Sequence, residues 1–177
     1  MKGRERKITQ IVILIGILLL GGYAVGTTLF ASDGDKPRIG GRPPAFENVA
    51  DIEGKLHSLD DYKGKPVIIN FWGTFCPPCV AEMPAIERQY QKYKDQGLVV
   101  LAINLSEDDI TVRDFLKRFD LSYTILRDKN RMIERRYALR SYPTTFFIGR
   151  DGRIMDIDVG GMADEEIEQY ILRLLET

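Results

Sequence analysis

Residues 66–86 read Pro66-Val67-Ile68-Ile69-Asn70-Phe71-Trp72-Gly73-Thr74-Phe75-Cys76-Pro77-Pro78-Cys79-Val80-Ala81-Glu82-Met83-Pro84-Ala85-Ile86: an apolar strand, an aromatic turn, a Cys-x-x-Cys pair and the start of a helix. The two cysteines are the only ones among 177 residues, so every thiol of the chain is committed to one four-residue motif. In a strand–Cys-x-x-Cys–helix context that motif points to reversible thiol–disulfide chemistry. A structural staple accounts for it poorly. A cross-link stabilises mainly by constraining the unfolded chain, and a ring this short contributes only about 2 kcal/mol. Structural zinc requires four ligands. Beyond the cysteines the chain offers one histidine, His57, which lies far from them in sequence.

Working outward, the N-terminus differs in character from the rest. Lys2, Arg4, Arg6 and Lys7 precede an uncharged apolar stretch over residues 8–31, densest at 11–20. Its 24 residues exceed the roughly 20 that cross a bilayer's hydrocarbon core. Cleavage after Ala31 would place Leu29 at the −3 position, where signal peptides carry a small residue, although Thr27 and Thr28 nearby are small. The stretch is therefore expected to be a permanent anchor in membrane lipid, single-pass. The basic flank, residues 1–7, stays cytoplasmic and the remainder is extracytoplasmic. Residues 32–43, rich in Gly, Pro and charge, read as a flexible linker. The domain then occupies 44–177. The first ten residues carry a net charge of +3 within a chain of −1, which leaves the remainder mildly acidic at −4. With no basic stripe, nucleic acid is not a partner.

Within the domain, 46–51 and 56–58 flank Glu53-Gly54 and suggest a hairpin. Residues 67–71 and 98–104 are continuous apolar runs, as parallel strands covered on both faces should be. Between them Val80, Met83, Ile86, Tyr90 and Tyr93 recur at helical spacing, with Pro84 expected to kink the helix. Val112, Phe115, Leu116 and Phe119 mark a second helix. Residues 123–126 read as a short strand, followed by a helix around 131–137. Strands at 144–148 and 153–159 are joined through Asp151-Gly152. Ile167, Tyr170, Ile171 and Leu174 form a closing helix, with Asp164 as its expected N-cap. The order is that of an α/β domain with a central mixed β-sheet and helices on both faces.

Residues 71–79, Pro84 in the following helix and Tyr142-Pro143-Thr144-Thr145 downstream resemble the thioredoxin superfamily, in particular its membrane-tethered ResA/TlpA-type branch. The resemblance spans essentially all of 44–177. It implies a thioredoxin-like fold with an N-terminal β-hairpin and a central α/β insertion around 106–127, preceded by one transmembrane helix. Two departures stand out. Asn70 occupies the place where typical thioredoxins bury an Asp, and Pro77-Pro78 replaces their Gly-Pro. Read alone, Glu82 is a solvated helix charge; the resemblance implies a part in proton handling. Pro143 resembles the superfamily's cis-proline facing the disulfide, which would let the Tyr142 backbone pair with an extended substrate segment.

The chemistry expected is exchange at Cys76 and Cys79. A helix N-terminus favours a thiolate, so Cys76 attacks and Cys79 resolves the mixed disulfide. A carboxylate at Glu82 would oppose thiolate formation. Trp72 and Phe75 border the site and are candidates to contact the substrate. His57 reads as a surface or hairpin residue. A peroxiredoxin requires Thr or Ser three residues before its cysteine, where Gly73 stands. The chain carries no flavin or nicotinamide motif, so no cofactor is expected beyond the redox-active disulfide, and electrons must come from an external donor. By resemblance that donor is a membrane thiol carrier of the CcdA/DsbD type, and the protein substrate is the disulfide of apocytochrome c (Cys-x-x-Cys-His) during c-type cytochrome maturation. Other readings are reduction of copper-site cysteines in a respiratory oxidase, exported disulfide oxidase or isomerase activity, and a non-catalytic binding module.

Overall fold

Val67–Trp72 is enclosed on both sides, and that burial explains its unbroken apolar sequence. In the computed structural model, which describes residues 13–16 and 36–176, it forms the middle of a five-stranded sheet. Numbered in chain order, the strands are β1 (Val49–Ala50), β2 (Leu56–His57), β3 (Val67–Trp72), β4 (Val99–Asn104), β5 (Thr124–Arg127), β6 (Thr144–Ile148) and β7 (Ile154–Val159). The helices are α1 (Pro77–Tyr93), α2 (Asp109–Phe119), α3 (Met132–Arg136) and α4 (Asp164–Leu175). The sheet order is β5-β4-β3-β6-β7. β3, β4 and β5 run parallel, while β6 is antiparallel to β3 and β7 to β6, giving the expected mixed sheet.

The pleat of β3 sorts its side chains between two cores. Ile68 and Trp72 join Val100, Ala102 and Phe147 under α1, α2 and α4. Val67, Ile69 and Phe71 join Leu101, Ile103 and Phe146 on the other face, covered by Phe46, Val49 and, from α3 and its end, Ile133 and Tyr137. α1 runs through Pro84 as a single helix.

Three local expectations need correction. The N-terminal hairpin has strands of only two residues each, because Asn48 turns to positive φ just before β1. α4 begins after Ala163, not at an Asp164 cap. The Glu166 carboxylate accepts the Ala163 amide, while Asp164 turns to Arg88 and Gln89 of α1. Part of the segment read as a flexible linker is pinned. The Gly40 amide donates to the Ile154 carbonyl at 2.7 Å, the Ile154 amide to the Gly41 carbonyl at 2.8 Å, and Arg153 Nη1 to the Gly40 carbonyl at 2.7 Å.

The chain divides into two units, residues 1–35 and 36–177. Of the first, residues 13–16 are described and are helical. Among the described residues no helix is long and apolar enough to cross a membrane. Apart from 13–16, the expected span over 8–31 lies outside the described residues, as do its basic flank and the linker up to residue 35.

Candidate active site

After Trp72 the chain crosses Gly73-Thr74-Phe75 and reaches Cys76, the N-cap of α1. Pro77 takes the first helical position, where a missing amide removes no hydrogen bond and a fixed φ suits the helix start. Cys76 and Cys79 form a disulfide with Cα atoms 5.3 Å apart. The Cys79 amide points at Cys76 Sγ, 3.3 Å away. An amide of the first helical turn aimed at this sulfur is the arrangement that stabilises a thiolate there. Cys76 retains 7% of its exposure and Cys79 none. Cys76 is thus the more accessible of the two residues, although it packs in one cluster with Trp72 and Met83.

Glu82, one turn further along α1, is buried. Asn70 Nδ2, reaching from β3, donates to Glu82 Oε1 at 2.8 Å and to Thr145 Oγ1 of β6 at 2.9 Å. The Met162 amide donates to Glu82 Oε2 at 3.1 Å. Burial pushes the Glu82 pKa up to about 7, although the bonds from Met162 and Asn70 favour its charged form; the Asp158 carboxylate adds to the rise. Side by side, two carboxylates resist double ionisation. Asn70 is therefore the fitting partner where a second acid would repel, and it supplies a donor as well.

Just ahead of the neighbouring strand β6, whose Thr144 pairs with Phe71, the Tyr142–Pro143 peptide is cis. The Pro143 carbonyl accepts the Gly160 amide at 3.0 Å. A Cβ built on Gly161 would stand 3.3 Å from Pro78 Cβ, so the turn after β7 passes close to the start of α1. Tyr142 is half-buried, with its hydroxyl on Glu134 and Arg131. The turn before Cys76 is held by Glu107, which accepts the Thr74 amide at 2.8 Å, the Thr74 hydroxyl, and Asn104 Nδ2 at 2.7 Å.

Trp72 packs in one cluster with Cys76, as a residue bordering the site should, but it is wholly buried with its ring 5.0 Å from that of Phe115, because the β3 pleat turns it under the helices, so it offers a substrate no exposed surface. The aromatic beside Cys76 that does reach solvent is Phe75, 60% exposed. His57 is in the hairpin as read, but buried: Nε2 meets Asp51 Oδ2 at 2.8 Å and Nδ1 meets the Tyr62 hydroxyl. Asn104, Glu107, Arg131 and Glu134 carry no signal in the sequence, because their roles depend on contacts between distant segments; Thr145 is marked only as part of the Tyr142–Thr145 motif, and Asn70 by its position.

The AhpC/TSA family model matches residues 39–157. The chain is 38% identical over 174 residues to the thiol-disulfide oxidoreductase ResA of Bacillus cereus, covering 97% of this chain and 98% of the relative. Among solved structures it is similar to StoA from Bacillus subtilis, with TM-score 0.64 and 27% identity, covering 73% of this chain and 97% of that one. It is similar too to a Chlorobium tepidum protein provisionally described as the thiol:disulfide interchange protein DsbE, with TM-score 0.73 and 30% identity, covering 79% and 99%.

Proposed function

We propose, from the premise that this chain belongs to the AhpC/TSA family of thioredoxin-like proteins and is a thiol–disulfide oxidoreductase, that it works as a reductant of protein disulfides outside the cytoplasm, anchored by residues 8–31. The substrate we assign is the disulfide of the Cys-x-x-Cys-His segment of apocytochrome c.

The observation that carries the direction of electron flow is the buried Glu82 carboxyl, three residues beyond Cys79 on α1. Strong disulfide oxidants owe their potential to a stabilised reduced form, that is, to a low-pKa thiolate. A carboxyl group in this position works the other way. When ionised it repels a thiolate and raises thiol pKa values, which favours giving electrons up.

In the forward reaction the Cys76 thiolate attacks one sulfur of the substrate disulfide and expels the other as a thiolate. Cys79 loses its proton and attacks Cys76 Sγ, releasing the second substrate thiol. Two electrons pass to the substrate, and the protein is left with the Cys76–Cys79 disulfide that the structure contains. Glu82, poised near neutrality, accepts the proton that Cys79 gives up. A membrane thiol carrier then returns two electrons.

Equilibration of the pair with defined thiol–disulfide buffers tests this reading. The expected reduction potential is about −250 mV or lower, near the thioredoxin range. A value of about −120 to −180 mV would instead make the protein an oxidase or isomerase.

A further inference from the structure

Tyr142, half-buried against the cluster that holds Cys76 and next to the cis-proline, has its side chain tied down by charges. Its hydroxyl donates to Glu134 Oε1 and accepts from Arg131 Nη2 at 3.2 Å. Arg131 also bonds both carboxylate oxygens of Glu134, Nε to Oε2 and Nη2 to Oε1, the latter at 2.7 Å. Glu134 is buried, and Arg131 beside it is partly open to solvent. A charge-assisted, bidentate pair of this kind fixes direction as well as distance.

The anchor of this cluster lies deeper. The buried Asp128 accepts the Met132 amide at 2.8 Å and the Glu134 amide at 2.9 Å, which fixes the first turn of α3. The Asp128 amide in turn donates to the Asn104 carbonyl at 3.1 Å. Asn104 is the residue whose side chain holds Glu107, and Glu107 holds the Thr74 turn before Cys76. A continuous polar chain therefore runs from the cysteine loop, across the ends of β4 and β5, to the aromatic ring preceding the cis-proline. Among the described residues the main-chain amide and carbonyl of Tyr142 form no hydrogen bond of their own.

We propose that Glu134, braced by Arg131, is a positioning residue for the protein substrate: by gripping the Tyr142 hydroxyl it holds the strand-pairing backbone of Tyr142 at a set distance from Cys76. The inference rests on the reductase reading and adds a determinant of recognition to it. It separates two classes of disulfide. One embedded in an extended peptide uses the Tyr142 backbone, and a small one without a backbone does not.

The test compares wild type, Tyr142→Phe and Glu134→Gln, each reduced beforehand and followed through a single turnover against excess substrate, so that KM and kcat here are the half-saturating concentration and the limiting rate. One substrate is an oxidised peptide containing Cys-x-x-Cys-His; the other is hydroxyethyl disulfide. Both variants are expected to raise KM for the peptide by about fivefold while leaving kcat within about twofold. The loss of rate with hydroxyethyl disulfide should be several-fold smaller than the loss with the peptide. Unchanged KM for the peptide, or an equal loss with both substrates, overturns the proposal. Should Glu134→Gln unfold, Tyr142→Phe still decides, because it removes one hydroxyl and keeps the ring. Wild type that turns over hydroxyethyl disulfide but not the peptide would sink the reductase reading and this inference with it. Variants matching wild type on the peptide would sink only this inference.

Discussion

Enclosing Glu82 between Asn70 and the Met162 amide gives one side chain control over how the oxidised protein responds to pH. Most carboxylates with shifted pKa values here are lowered. Asp51, for example, is held down against its burial by hydrogen bonds from His57 and from the Lys55 and Glu53 amides. Such a group stabilises the fold above its unfolded pKa, and the gain is lost as pH falls. Glu82 is the reverse case. Its pKa rises from 4.5 in the unfolded chain to about 7 in the fold, so folding takes up a proton between those values. Its contribution is fully present below pH 4.5 and is lost as pH climbs through about 7. A shift of this size corresponds to about 3 kcal/mol. Glu82→Gln carries no such charge, so the variant should gain on wild type as pH rises from 5 to 8, by up to about 3 kcal/mol. Urea unfolding of both oxidised proteins across that range measures it. A difference that stays constant with pH would mean that Glu82 is not the buried titrating group.

At the scale of elements, the N-terminal hairpin shows how far a short strand pair depends on side chains. Two ladder positions are too few to hold it. Asp51 supplies the rest: Oδ1 accepts the Glu53 and Lys55 amides, both at 2.9 Å, and Oδ2 meets buried His57. The Asp51–Leu126 bridge ties the hairpin to β5. Asp51→Ala should cost about 2 kcal/mol, since it strands the His57 ring and two turn amides. It should also raise hydrogen exchange at Glu53 and Lys55 selectively. Exchange that rises uniformly over the domain would show that the hairpin has no separate stability. The sequence showed that a hairpin lay here, because Glu53-Gly54 interrupts two apolar runs. It did not show that His57 would be buried, since a lone histidine carries no periodic signal. The same division holds elsewhere. β3, β4, β6 and α1 were legible because enclosed strands and one-sided helices leave patterns in hydrophobicity. The start of α4 was misread by one residue because Asp164, a good capping residue by type, is drawn instead to Arg88 and Gln89 across the helix pair. Within the site, the cysteines and Tyr142-Pro143 were legible as local motifs. Glu107 and Glu134 were not, because each acquires its role from a segment it meets only in the fold.

For the whole molecule, the polarity of the sheet and the division of charge along the chain bear on one question, which is where the disulfide meets its partners. The Cys-x-x-Cys turn follows the C-terminal end of β3, and the cis-proline turn precedes β6, which runs antiparallel beside it. Both turns therefore lie at one end of the sheet. They are braced there by Glu107 and Glu134 and leave Phe75 open to solvent. A site at one end of a sheet suits large partners, because only one pole of the domain must approach them. The proposed reading, in which one partner is a membrane thiol carrier and another an exported apoprotein, takes residues 8–31 as a membrane tether. They form 24 uncharged residues behind a flank that brings the first ten to +3, while the remainder carries −4. A basic flank retained in the cytoplasm sends the acidic domain across. The full chain should accordingly stay with membranes through alkaline carbonate extraction. Protease added from outside to intact spheroplasts should digest the domain, whereas Lys2→Glu with Arg4→Glu should reduce the fraction oriented that way. Release by carbonate would remove the anchor from this account, and a domain protected from external protease would reverse its orientation. In either event the carrier and apocytochrome assignments would fall, while the dithiol chemistry at Cys76 and Cys79 would stand on its own geometry.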